Sequence, residues 1–185
     1  MATAKDRKHF ERLMLRHLDA SYNLALWLLH DTTEAEDVVQ IAYMKAFEHF
    51  TSFTGGNTAG WILTIVRNTA YNWLSKRNRG SNLISFEDVL HSSQNNSPTA
   101  SGEMNPEELA SAEISHSQIT GYMKTLSVDF REVLFLREIE GYSYKEIAEI
   151  TQVSKGTVMS RLSRARGQLR QIITDQTHRE KTREL

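Results

Sequence analysis

The chain contains no cysteine, which excludes disulfides and thiolate metal sites and makes a reducing compartment its natural setting. It also lacks a charge of one sign. Lys and Arg number 22 against 23 Asp and Glu, a formal net charge of −1 over 185 residues. No bulk cationic character therefore draws it onto nucleic acid or membranes, and any charge asymmetry is local. No run of about eighteen apolar residues occurs, and Met1 to Arg12 is too charged for a signal peptide's apolar segment. A soluble cytoplasmic protein without membrane insertion is expected. The seven histidines are scattered, with no pair at ligand spacing, so no metal site is expected. No Gly-rich phosphate loop or nucleophile elbow appears either. The chain therefore reads as a non-enzyme that needs no cofactor.

What is present is helix. Tyr142 to Ile173 reads as a helix-turn-helix. Ser143 with Glu146 forms a Ser-x-x-Glu capping box that satisfies two orphan backbone donors at once, with Tyr142 just outside as a staple. Ile147 and Ile150 give the inner face, and Ala148 is small enough for a second helix to approach. The helix must stop within Thr151–Val153. Ser154 then caps a second helix on which Val158, Leu162, Ala165, Leu169 and Ile172 recur at spacings of three and four, one apolar stripe. At roughly 100° per residue, Ser160, Ser163 and Arg164 point nearly opposite that stripe, with Met159, Arg170 and Gln171 beside them. From Lys155 to Arg170 the basic residues Lys155, Arg161, Arg164, Arg166 and Arg170 are interrupted by no acid. Such a face suits the DNA major groove: arginine forks reach guanine edges or phosphates, and small polar residues permit close approach. The plainer reading is a solvated charged helix on a three-helix bundle.

Earlier in the chain, Lys5 to Leu29 has helical periodicity, with Phe10, Leu13, Met14, His17, Leu18, Tyr22, Ala25, Leu26 and Leu29 on one side. His17 on that stripe reads as a packed histidine. Thr33 with Glu36 forms a second capping box, and Glu34, Glu36 and Asp37 crowd a first turn where the helix dipole favours carboxylates. That helix runs to about Phe50 with Val38, Val39, Ala42, Ala46 and Phe47 buried. Glu34, Asp37, Gln40, Ile41 and Met44 stay at or near the surface. An apolar strip rimmed by acids is what a protein-docking face needs, although the acids alone need only the dipole to explain them. Ser52 to Thr58, with Gly55–Gly56, is a loop.

A third helix is expected from about Ala59 to Lys76, with Ile62, Ile65, Val66, Thr69 and Trp73 as its core stripe and Arg67, Asn68 and Tyr71 away from it. Trp61 to Gly80 contains Arg67, Lys76, Arg77 and Arg79 and no acid. Aromatic and amide groups beside arginines can stack on and hydrogen-bond unpaired bases. Trp61 and Trp73 can equally be core, and for Trp73 that is the favoured reading.

From Gly80 to about Asn105 the composition turns to Ser, Asn, Gln, Gly and Pro98, which reads as a linker and a boundary between domains. Pro106–Glu107–Glu108 reopens helix to about Thr125. Ser127 caps the next helix through Phe130, Val133, Leu134, Leu136 and Ile139, and Gly141 closes it. His178 to Leu185 reads as a frayed charged tail. The expected fold is therefore all-α, two small helical domains joined by a flexible linker. The divisions fall at 1–80, 81–105, 106–177 and 178–185. Arg77 and Arg164 lie outside the core in this reading.

The order of these stretches resembles a bacterial extracytoplasmic-function sigma factor, of the sigma-70 family. The resemblance is carried by Tyr22–Asn23–Leu24–Ala25 with Glu34 through Gln40, and by Trp61–Ile62–Leu63 with Val66 through Ala70 and Trp73–Leu74. Tyr144–Lys145–Glu146–Ile147–Ala148, Gly156–Thr157–Val158 and Arg161 through Arg166 complete it. It implies a sigma region 2 domain that docks on the β′ subunit of core RNA polymerase and opens the minus ten element, and a sigma region 4 domain that reads the minus thirty-five element. The partners implied are core RNA polymerase through its β′ and β subunits and promoter DNA, with an anti-sigma factor left open.

On the same resemblance Glu34, Asp37, Gln40, Ile41 and Met44 face polymerase. Asn68 falls where the family shapes a base-capturing loop, so the third helix is expected to break there. Arg67, Asn68, Tyr71, Lys76, Arg77 and Arg79 would hold the opened strand, and Lys155, Thr157, Met159, Ser160, Ser163, Arg164 and Arg166 the duplex element. Two positions depart from the family pattern. Ile41 stands where Glu is usual, and Met159 where a basic residue is common. The alternative is a stand-alone helix-turn-helix regulator, which would bind duplex DNA without polymerase.

Overall fold

The computed structural model describes residues 4–80 and 116–183, and among these every regular element is helical. The linker expected over 81–105 and the helix start at Pro106 lie outside the described residues. The helices are α1 (Ala4–Met14), α2 (Leu18–Leu29), α3 (Thr32–Glu48), α4 (Thr58–Gly80), α5 (His116–Thr125), α6 (Val128–Leu134), α7 (Tyr144–Thr151) and α8 (Lys155–Arg183).

The single helix expected over Lys5 to Leu29 is two. The chain tightens into a 3-10 turn at Leu15–His17, with neither Gly nor Pro to announce it. The turn separates two apolar stripes: Phe10 and Met14 are buried on α1, and Leu24, Ala25, Leu28 and Leu29 on α2, while Leu18 is left exposed. Arg16 and His17 both reach the Thr58 hydroxyl, at 3.0 and 2.9 Å, and so tie this turn to the start of α4. His17, expected to pack on the stripe, is half-buried; burial, then the neighbouring Arg16, lower its pKa.

Helix α3 is capped two residues earlier than the Thr33–Glu36 box implied. Asp31 has the extended backbone an N-cap requires, and its carboxylate accepts the Glu34 N–H at 2.8 Å. Ala35, Val38, Val39, Ala42 and Ala46 are buried between α2 and α4, and the alanines let the three axes approach closely. Phe47, expected buried, is half-buried in an edge-to-face cluster with Phe10. Asn57 starts α4 by accepting the Gly60 N–H at 2.9 Å. That helix is continuous through Asn68, contrary to the expected break, because Ile62, Leu63, Val66, Thr69 and Ala70 keep unbroken helical spacing against the core.

In the second half, Ser127 caps α6 through its backbone carbonyl, which accepts from Phe130 and Arg131 at 3.1 and 3.0 Å, and not through the hydroxyl expected of it. α6 widens into a π-helical turn at Phe135–Ile139, and Gly141 then takes φ +74° to close it. The Ser143–Glu146 capping box on α7 is present with both bonds. Gln152, left-handed at φ 57°, ends α7, and Ser154 accepts the Thr157 N–H at 3.1 Å to open α8. Val158, Leu162 and Ala165 are buried and Leu169 and Ile172 half-buried, so the α8 stripe faces inward. The residues expected to fray continue this helix through Arg183.

The two halves share one apolar core. α4 lies along α7, and α2 meets α6 and its π-helical turn, with Trp27 packed on Phe135 at 5.9 Å between ring centres. Arg77 and Arg164 nevertheless remain exposed.

Candidate nucleic-acid interface

The face expected to read duplex DNA lies on α8. Its stripe fixes the helix azimuth, which leaves Lys155, Met159, Ser160, Ser163, Arg164 and Arg166 exposed on the other side and Thr157 half-buried. The Thr157 hydroxyl is 2.9 Å from that of Ser154, so it belongs to the helix cap as well as to the face. Arg166 holds Glu138 with two nitrogens, at 2.6 and 3.1 Å, and these hydrogen bonds raise its pKa above the ordinary arginine value. Arg161, basic in the sequence pattern, turns inward instead and pairs with Asp129 at 2.6 Å.

The acid-free segment of α4 divides in two. Lys76, Arg77 and Arg79 at its C-terminal end are exposed. Arg77 reaches Glu34 on α3 at 2.8 Å, so a residue assigned to the opened strand is bonded to one assigned to polymerase. Arg67, Asn68 and Tyr71, expected to face away from the core, are half-buried at the junction with α6. Arg67 Nε lies 2.6 Å from Glu132 Oε1, and its second nitrogen donates to Asn68 Oδ1 at 3.2 Å. Tyr71 donates to Asp129 Oδ1 at 2.9 Å, lies 3.2 Å from Glu132 Oε2, and has the Arg67 guanidinium 4.4 Å above its ring.

Electrostatics follow from that packing. Glu132 is fully buried, and burial lifts its carboxyl to about 7 although Arg67 pulls the other way. Burial opposes the Arg67 cation, but Glu132, then Tyr71 and Asp129, carry its pKa above the ordinary value. Tyr71 is pushed well up, first by burial and then by the two carboxylates, so it stays a donor.

On α3, Asp37, Gln40 and Met44 are exposed and Glu34 and Ile41 half-buried, one strip along the helix. Asp129, Arg131 and Glu132 were missed in the sequence. The available signal was two charged residues, Arg131 and Glu132, inside the apolar run from Phe130 to Leu136, where solvent cannot be their partner. Arg131 is buried, which lowers its pKa, and its Nε has no hydrogen-bond partner among the described residues. Among those residues no cluster of His, Asp or Glu could hold a metal, and no helix is long and apolar enough to cross a membrane.

Two family models match, and they fall on the two halves. Sigma-70 region 2 covers residues 13–80 and Sigma-70 region 4 covers residues 116–169. The ECF RNA polymerase sigma-E factor of Escherichia coli K12 is 34% identical over 163 residues, 87% of this chain and 84% of that one. The RNA polymerase sigma-H factor of Pseudomonas aeruginosa is 32% identical over 164 residues, again 87% and 84%. Among solved structures, the sigma factor RpoE of Bartonella quintana, in complex with the anti-sigma factor NepR, superposes with a TM-score of 0.67 at 30% identity, covering 90% of this chain and 98% of that one. CnrH, in complex with the cytosolic domain of CnrY, shares the fold, with a TM-score of 0.61 at 21% identity, covering 91% and 90%.

Proposed function

The chain belongs to the extracytoplasmic-function sigma factors of the sigma-70 family, RNA polymerase subunits that direct promoter recognition, and from that premise we propose how its surfaces divide the work. Residues 1–80 dock on core polymerase through the α3 strip of Glu34, Asp37, Gln40, Ile41 and Met44. They hold the opened strand of the minus ten element through Arg67, Asn68, Tyr71, Lys76, Arg77 and Arg79. Residues 106–177 read the minus thirty-five element as duplex through Lys155, Thr157, Met159, Ser160, Ser163, Arg164 and Arg166. Residues 81–105 join the two. The protein works in the cytoplasm and has no catalytic step of its own, and an anti-sigma partner is left open, the Bartonella quintana factor being one found in complex with such a protein.

The observation that carries this reading is the exposed face of α8 from Lys155 to Arg170, a stretch with no acid of its own, presented after a tight left-handed turn and held outward by a buried stripe. Each DNA contact is weak alone. Polymerase fixes their spacing, so the second contact forms at high effective concentration. Catalysis of RNA synthesis stays with the core enzyme, and this chain supplies address and strand capture.

The experiment is a double dissociation. Arg164→Ala lowers holoenzyme affinity for promoter duplex by about tenfold, the scale of one bidentate arginine contact, and leaves core binding unchanged. Asp37→Ala lowers recovery in a pull-down with core polymerase. Loss of core binding in Arg164→Ala, or full recovery of Asp37→Ala, overturns the corresponding assignment.

A further inference from the structure

We propose that Asp129 and Glu132 of α6 form an internal stand-in for the promoter strand: in the free chain they occupy Arg67 and Tyr71, so closing the two halves and binding opened DNA compete. This inference rests on the reading of Arg67, Asn68 and Tyr71 as strand-facing.

The geometry of the junction carries it. Arg67 gives its Nε to Glu132 and another nitrogen to Asn68, which leaves the guanidinium fork and the Asn68 carbonyl engaged with each other and with α6. Tyr71 gives its only proton to the same carboxylate pair, and its ring is covered by the Arg67 cation, so the aromatic face on which a base would stack is occupied. A carboxylate presents anionic oxygens to an arginine fork much as a phosphate does, and one fork cannot serve both. Asp129 also holds Arg161 of the duplex-reading helix, at 2.6 Å. The acidic pair thus draws on cations of both DNA-binding helices from a position between them. Lys76 and Arg79 are exposed beyond the junction, as is Arg77 in its contact with Glu34 at 2.8 Å, so the basic track continues past the part that α6 covers. Polymerase, by seating the two halves apart, would uncover the rest.

The test uses the full chain. Because it has no cysteine, dyes placed at Lys45→Cys and Gln168→Cys, both exposed positions, report the separation of the halves. A fluorescein-labelled single-stranded DNA of random sequence reports strand binding by anisotropy. Glu132→Gln, with Asp129→Asn as a second variant and circular dichroism as the check on folding, lengthens the dye separation. It tightens single-strand binding about tenfold, the scale of exchanging a charge-assisted hydrogen bond for a neutral one. Glu149→Gln, which removes the same charge from an exposed site on α7, changes neither. In the complex with core polymerase the gain from Glu132→Gln disappears.

If neither α6 variant lengthens the separation, the latch is overturned, and Arg67→Ala holoenzyme on a pre-melted template still tests the strand-facing reading on its own. If the halves separate without tighter DNA binding, competition is overturned. Arg67→Ala holoenzyme then shows whether the α4 face holds the strand at all.

Discussion

Two arginine–glutamate pairs in this protein have the same length and different consequences. Arg67–Glu132 and Arg166–Glu138 both close to 2.6 Å, yet the first pair's side chains are 13% and 0% exposed and the second pair's 46% and 49%. Water screens the outer pair and can replace either partner, so its contribution to stability is small. At the inner pair the alternative to the partner is an unpaired charge between packed helices. Contact distance alone therefore does not separate a surface ornament from the hinge of the junction. Burial does.

The comparison can be broken most directly by removing the inner carboxylate. Glu132→Ala, which strands Arg67, is expected to cost about 3–5 kcal/mol in denaturant unfolding, or to separate the halves before either melts. A loss under about 1 kcal/mol would mean that water reaches Arg67 as freely as it reaches Arg166.

A smaller effect comes from pH. Glu132, lifted to about 7, holds a proton in the folded chain that the unfolded chain has released. Its contribution is complete below its ordinary value of 4.5 and is lost as pH rises through about 7. His30 is lowered to about 4 by burial first and then by Arg131, Lys124 and Arg77. Its contribution is complete above its ordinary 6.5 and is lost as pH falls through about 4. The two oppose each other across the window they share. Glu132 is faced by Arg67, Asp129 and Tyr71. His30→Asn, which keeps the left-handed backbone accessible, should give a melting temperature that falls as pH rises from 4.5 to 7. Glu132→Gln should show the opposite slope, and parallel curves for the two variants would refute the assignment.

The smallest expected change is at the outer pair. Glu138→Ala should alter unfolding free energy by no more than about 0.5 kcal/mol, with loss of even that in high salt.

What could be read from the sequence was whatever is decided within a few residues. The Ser143–Glu146 box depends on one turn, and the α8 stripe on one helix face, and both are found where the pattern placed them. Asp31, Thr32 and Thr33 are three consecutive capping residues, and composition could not choose among them; the one whose backbone is extended does the capping. The turn at Leu15–His17 has no local breaker, and it is held by Thr58 from a different helix. The Arg67–Glu132 pair joins residues 65 apart, so neither periodicity nor charge spacing could bring it into view. Arg67 and Tyr71 were expected to face away from the core, and at the junction with α6 both are half-buried, because their partners Asp129 and Glu132 lie about sixty residues away in the chain.

The π-helical turn after α6 contains one surplus residue, closed by the Glu140 N–H reaching back to Phe135 at 3.1 Å. In a regular α-helix one extra residue would swing everything beyond it by roughly 100° about the axis, and the wide turn takes up that residue instead. The direction in which α8 leaves the junction is thus kept across a surplus residue in a neighbouring segment, with none of its own side chains involved.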